Sequence, residues 1–428
     1  MGTSVNSAAT GSTGANGSLL SGARIFRPQV IATGGALANA TWGGSSRYDN
    51  RVEARHKYRM GRQGATAIQL GFSGFYINSN GEQLFTGDLD IEAAFESVSP
   101  VYYANAFFDG KRLGNLPIGA AYVLSDPIGV YVPAGSAGDF LIRHGHSSTN
   151  GNVTLPGGST PSPTGGISQL SQSDTSQIAG TGAMSTPSGG TTIGGPKAVL
   201  ILGKPDAPMV SVAYLTDSIG DGTGDTATSD GVIGFAARGL EGVNGYLVPS
   251  LKQTVGSWTF AKSTIDYAPR LRAQWEMVTH LMCALGTNDI ASATSLSSMQ
   301  AYATAVWQAA KRTIGPYGKP LQVAQALIMP RTTSTDSWAT AGNQTPVAGF
   351  TTGGVRDQFN AWVKAQVGQG LLDAAIDVNQ YVEDQAHPGC WITTGSANYP
   401  TTDGIHPSTA VHILAAQAVN SWAAAQNP

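Results

Sequence analysis

Charge is what this sequence has least of. Among its 428 residues only 12% are Asp, Glu, Lys or Arg, and the formal net charge is −3. Nothing electrostatic therefore points to a nucleic-acid partner. Cysteine is nearly missing too. Cys283 and Cys390 are the only two, too few for a disulfide framework; their pairing stays open on sequence alone, and Cys283 reads as a buried thiol within an apolar run. No stretch approaches the ~18 apolar residues of a spanning helix, so no membrane partner is expected. Met1-Gly2-Thr3-Ser4-Val5-Asn6 has neither a basic start nor an apolar core, and no signal peptide is expected in this chain. A leader already removed, another export route, or carriage on a particle such as a phage are the readings left for an exported protein.

Glycine is plentiful instead, at 55 residues. With many Ser, Thr and Ala beside it, this suits an extracellular or virion-associated protein rich in β-structure and turns. The length exceeds one typical domain, so two are expected. A Gly/Ala/Ser/Thr-rich segment covers 1–50. From there short alternating or aromatic runs recur, such as Ala67-Ile68-Gln69-Leu70-Gly71-Phe72 and Ile128-Gly129-Val130-Tyr131-Val132, punctuated by Asn-Gly, Asp-Gly and Pro. That is the texture of an antiparallel, jelly-roll-like β-sandwich, with helical spacing confined to 91–97. A Gly/Ser/Thr/Pro-rich stretch at 147–196 reads as a linker or long loop. A strand at 197–203 then closes a β-domain expected over 51–205.

Chemistry is concentrated in the remainder, 206–428, in three stretches: Thr216-Asp217-Ser218-Ile219, Gly286-Thr287-Asn288-Asp289 and Asp403-Gly404-Ile405-His406-Pro407. Each alone is an ordinary turn. Their surroundings matter more. Ser218 and Asn288 each follow an apolar run of strand length, so parallel strands would deliver both to the edge of an open sheet where ligand sites form. His406 lies three residues after Asp403, ahead of an apolar helix from 411. Acyl transfer needs a hydroxyl nucleophile, an imidazole to carry its proton and a carboxylate to orient the imidazole, and Ser218, His406 and Asp403 suit those roles. Asp289 reads as a cap or supporting group. Helical spacing at 299–312, a strand at 322–329, an amphipathic helix at 356–366 and a short strand at 374–378 continue the α/β alternation. The expected fold is a flavodoxin-like three-layer α/β/α sandwich.

These blocks, in this order, resemble the SGNH (GDSL-type) hydrolase family. The resemblance spans about the last half of the chain and implies Ser218 as nucleophile, Asp403 as orienting acid and His406 as base. It further implies an oxyanion hole from the backbone N–H of Ser218, a glycine and the side chain of Asn288. The glycine is taken as Gly256, after a strand expected at 246–255, with Gly245 in reserve. Thr216 stands where the family often has glycine, and Ile219 where it often has leucine. No cofactor and no metal are implied.

His144 and His146 share one face of a strand, a spacing metals sometimes use, but no carboxylate or cysteine stands beside them, and a surface strand is expected. His280 reads as a core residue, His387 as a loop residue and His412 as part of the last helix. Asp221-Gly222-Thr223-Gly224-Asp225 lacks the closing Glu of a calcium loop and is read as a mobile loop beside the nucleophile. Tyr76, Tyr102, Tyr103, Phe107 and Phe108 are candidates to meet sugar rings or, more simply, to pack a sandwich core. The expectation is a serine esterase acting on an ester substrate, most plausibly an acetylated glycan. The alternatives are a general short-chain ester or lipid hydrolase and a non-catalytic glycan-binding or phage tail module. Nothing in the sequence sets an oligomeric state.

Overall fold

The computed structural model describes residues 27–42, 51–98, 101–148, 154–157, 167–169, 176–182, 184, 197–264 and 268–428. In the second half, the apolar run before Ser218 is a fully buried strand, β1 (Val212–Thr216). It is flanked by β2 (Ser250–Thr254) and β3 (His280–Ala284), and the sheet continues through β4 (Gln322–Ala326) to β5 (Ala374–Ile376). All neighbours are parallel. Alternate residues of β1 enter different cores, as a strand covered on both faces requires. Ala213 and Leu215 join one cluster and Val212 and Tyr214 the other.

Helices cover both clusters. On the first side α1 (Leu296–Arg312) brings Met299, Val306 and Trp307, and α2 (Val355–Gln366) brings Phe359 and Val363. The α1 helix starts where the Ser295 hydroxyl accepts the Ser298 N–H and ends on Lys311 and Arg312, which suit the negative end of its dipole. On the second side α3 (Thr409–Ala424), capped by Ser408, brings Val411, Ala415 and Val419. The short helix Phe235–Gly239 packs so closely on α3 that a Cβ on Gly239 would fall 2.3 Å from Val419 Cβ.

The first half is built of antiparallel strands. One sheet runs Gln29–Val30, Leu200–Pro205, Ala65–Phe72, Val123–Leu124; a larger one contains Gly114–Leu116, Leu89–Val98, Phe140–Ser147 and Arg51–Met60. Both feed one core, with Ile68, Leu70 and Phe72 from the first and Ile91, Phe95, Phe140 and Ile142 from the second. Three particulars differ from the sequence reading. The helical spacing at 91–97 is a strand: Leu89, Ile91, Ala93 and Phe95 alternate into the core while Glu92 and Glu96 meet Arg51, Arg55 and Arg143 on the other face. His144 and His146 are on a strand, but it is no surface strand; both are buried, ringed by Phe72 and His56, and burial pushes His146 down to about 3. Residues 29–33, read as part of the N-terminal segment, pair into these sheets. Most of 147–196 and of 1–50 lies outside the described residues.

The two halves share a core. Val30, Phe75, Ile77, Leu200 and Leu202 belong to the same cluster as Leu215, Leu251, Trp258 and Trp275. Polar contacts seal the seam: Gln29 Nε2 donates to Met209 O, Gln274 Nε2 to Ser73 Oγ, and Arg270 pairs with Glu82. Leu202→Ala is therefore expected to cost about 2–5 kcal/mol and to lower one common unfolding transition. Calorimetry resolving two transitions, only one of them shifted, would show that the halves melt separately.

Candidate active site

The ladder around β1 brings three loops to one level. Thr216 lies opposite Thr254 of β2 and Ala284 of β3, so the chain leaves all three strands side by side. Val255 N–H donates to Thr216 O, which sets Gly256 next to the turn that carries Ser218. Asp217 caps the following helical turn by accepting the Ile219 N–H at 2.9 Å. Gly220 has to be glycine, since a Cβ there would fall 2.1 Å from Thr216 Oγ1.

Ser218 Oγ is 2.9 Å from His406 Nε2, and His406 Nδ1 is 2.6 Å from Asp403 Oδ2. The partners fix the imidazole tautomer. A carboxylate oxygen facing Nδ1 places the proton there, leaving Nε2 as the acceptor for the serine hydroxyl. Asp403 Oδ1 also accepts the backbone N–H groups of Ile405 and His406, each at 2.8 Å. Partial burial pushes the Asp403 carboxyl up, but the bonds from the His406 ring and these two backbone donors outweigh it and hold the group below the usual carboxylate value.

Residues that sequence reasoning missed hold this turn in place. Gly404 O accepts from Thr332 N–H and from the indole of buried Trp391, both at 3.1 Å, and Gly404 N–H donates to Thr401 Oγ1 at 2.9 Å. With φ of +78° and a would-be Cβ 1.8 Å from Thr332 O, position 404 accepts only glycine. Glycine after Asp403 was visible as a turn signal; Thr332 and Trp391 carry no local signature.

The Asn288 amide lies between the other two loops, donating to Trp258 O at 3.1 Å and to Asp217 Oδ2 at 3.3 Å. Asp289 accepts the Phe260 N–H through both carboxylate oxygens, a supporting role. Among the described residues the backbone N–H groups of Ser218 and Gly256 have no hydrogen-bond partner, and a Cβ at Gly256 would meet open space. Gly245, by contrast, precedes β2 and so sits at the opposite edge of the sheet. His280 is buried at the start of β3, and His387 pairs with Asp384 in its own loop at 3.1 Å. The loop after Ser218 is fastened: Asp221 binds Lys252 and Thr254, and Asp225 binds Arg238. Both cysteines are buried and unpaired. Of the aromatic candidates, Phe108 is buried, Tyr76 packs on Phe85, Tyr103 donates to Ile178 O, and Tyr102 and Phe107 are exposed.

The chain is similar to GDSL-type hydrolases. A G-D-S-L family protein from Desulfitobacterium hafniense DCB-2 is 13% identical with a TM-score of 0.35, covering 50% of this chain and 98% of its own. A carbohydrate acetylesterase from Sinorhizobium meliloti is 16% identical (TM-score 0.33; 50% and 99% covered). A mutant acetyl-xylooligosaccharide esterase from Geobacillus is also 16% identical (TM-score 0.34; 51% and 95% covered). No family model and no curated protein matches the sequence. No helix of the described residues is long and apolar enough to cross a membrane.

Burial, with the nearby Asp289 carboxylate adding to it, pushes the Asp217 carboxyl up to about 7 against the bond from Ile219. The sign follows: a carboxyl whose folded value lies above its unfolded value contributes stability at low pH that is lost as pH rises through about 7. Asp217→Asn removes that titration. Relative to the parent the variant is expected to gain stability between pH 4 and 8, by about 4 kcal/mol at most. Urea unfolding at several pH values reads the difference, and a gap that does not change with pH would contradict it.

Proposed function

We propose that this chain is a serine esterase of the SGNH type that cleaves carboxylic esters through an acyl-enzyme on Ser218. The observation that carries this reading is the unbroken relay from Ser218 Oγ through His406 to Asp403, at 2.9 and 2.6 Å. His406 Nε2 takes the hydroxyl proton as Oγ attacks the ester carbonyl. It then hands that proton to the departing alcohol, while Asp403 stabilises the imidazolium formed between the two steps. A water activated by the same nitrogen releases the acid. The developing oxyanion is assigned to the unpartnered N–H groups of Ser218 and Gly256 and to the amide of Asn288, which gives up its longer bond, the 3.3 Å one to Asp217, to turn one N–H toward it; the three lie on adjacent loops.

The substrate class proposed is an acetylated polysaccharide, acted on outside the cell or at a virion surface. Exposed Tyr102 and Phe107 on the antiparallel half offer flat apolar faces of the kind sugar rings stack on, and the Gly/Ser/Thr-rich, weakly charged composition suits that setting. In this reading 206–428 carries the chemistry and 51–205 forms a β-sandwich beside it.

The parent is expected to react with a fluorophosphonate probe, to hydrolyse 4-nitrophenyl acetate faster than the octanoate, and to release acetate from acetylated xylan. Ser218→Ala should abolish all three. Asn288→Ala is expected to lower kcat by about 10²–10³-fold. Preference for the octanoate would point to a lipid hydrolase; glycan binding by parent and Ser218→Ala alike, without turnover by either, would make the chain a binding module.

A further inference from the structure

Six residues beyond the partly exposed base, on α3, stands an imidazole that is buried. His412 is fully buried, and its two nitrogens have partners that leave no freedom of tautomer. Phe235 N–H can only donate, and it lies 3.1 Å from Nδ1; Thr223 O can only accept, and it lies 3.2 Å from Nε2. His412 is therefore neutral with its proton on Nε2, the reverse of His406. The rings of Phe235 and His412 are nearly parallel, 6.4 Å apart between centroids.

What these bonds hold is the chain between nucleophile and base. Thr223 N–H donates to Ser218 O at 3.0 Å, so one peptide unit grips the nucleophile turn while the next carbonyl takes the His412 proton. Gly224 then passes so close to the base segment that a Cβ would lie 2.4 Å from Pro407 O and 3.4 Å from His406 Cβ. A second tether, Thr226 N–H to Thr409 Oγ1 at 2.9 Å, is exposed. The buried one is His412.

We propose that His412 is a positioning residue: by clamping Thr223 and Phe235 onto α3 it sets the Ser218–His406 separation, and protonating it opens the clamp. A proton on Nδ1 removes the acceptor for Phe235 N–H while leaving the bond to Thr223 O. The charged and titratable groups that face the ring are Asp225, Arg238 and His406. Burial lowers the pKa of His412, with Arg238 and His406 acting the same way, and the Thr223 carbonyl and Asp225 oppose the shift without cancelling it. The clamp is thus closed at neutral pH and opens only below the ordinary histidine range. The inference rests on the esterase reading for its catalytic consequence, whereas the clamp itself is tested without turnover.

Two variants separate the possibilities. Gln at 412 keeps an acceptor and a donor but has no proton to gain, and Leu keeps neither. With 4-nitrophenyl acetate at pH 8, His412→Leu is expected to lose at least tenfold in kcat with KM within about twofold, and His412→Gln to recover most of that loss. The acid limb of log kcat against pH should steepen from one proton to two in the parent and stay at one proton in His412→Gln. Equal kcat in parent and Leu variant, or a Gln variant no better than Leu, would overturn the proposal. If the Leu variant does not fold, the Gln variant and the parent profile decide. Independently of activity, nitrogen NMR of the parent should show the Nε2–H tautomer at 412, and the Phe235 amide should exchange faster once the pH falls below the ring's pKa. The opposite tautomer, or exchange indifferent to that titration, would sink the clamp. An inactive parent that passes both tests would sink only the esterase reading.

Discussion

Everything at the candidate site depends on one constraint, the in-register parallel pairing of β1 with β2 on one side and β3 on the other. Because Thr216, Thr254 and Ala284 are aligned, the three loops that follow begin at a common height. Hydrogen bonds then lace them: Val255 to Thr216, Asn288 to Trp258 and Asp217, Asp289 to Phe260. Slipping either neighbour along β1 would separate the groups assigned to the oxyanion from the nucleophile without altering any of them. Parallel strands tolerate such a slip poorly, since both faces of β1 are buried in different cores.

The acid and base arrive from elsewhere, and the second half of the molecule is organised to meet the sheet edge at the right place. Trp391 and Thr332 pin the carbonyl of Gly404, and Gly404 in turn orients the amides that hold Asp403. The antiparallel half contributes from behind. Its strands at 29–30 and 200–205 send Val30, Leu200 and Leu202 into the same core as Leu251 of β2, the edge strand beside the nucleophile strand.

Much of this was legible in the sequence because the decisive features are local. Ser218 and Asn288 each follow an apolar run, and the Asp403–His406 pair occupies one turn; strand ends and turns are what periodicity and glycine mark best. The face of a strand is less legible. At 144–146 alternation placed both histidines on one side but said nothing of what covers it, and the answer, Phe72 and its neighbours, comes from a strand about seventy residues away. At 91–97 a strand of period two reads as a helix in sequence, because Ala93 and Ala94 fit either pattern. The strand expected between Gly245 and Gly256 is there, shorter at both ends, and it leaves the two glycines at opposite edges of the sheet. The bonds of His412 join residues 177 and 189 positions apart and leave no trace in spacing.

The turn at 403–406 has a consequence for how the site assembles. Both backbone donors to Asp403 and the imidazole it orients lie within three residues of it, so acid and base meet through contacts local in sequence, while Thr332 and Trp391 fix the turn from outside. Ser218 stands 188 positions away, and its approach is the one event that needs the whole topology in place. The relay thus joins a pair that is close in sequence to a nucleophile that is distant, and a circular permutation that parted 403 from 406 would break the first without touching the second.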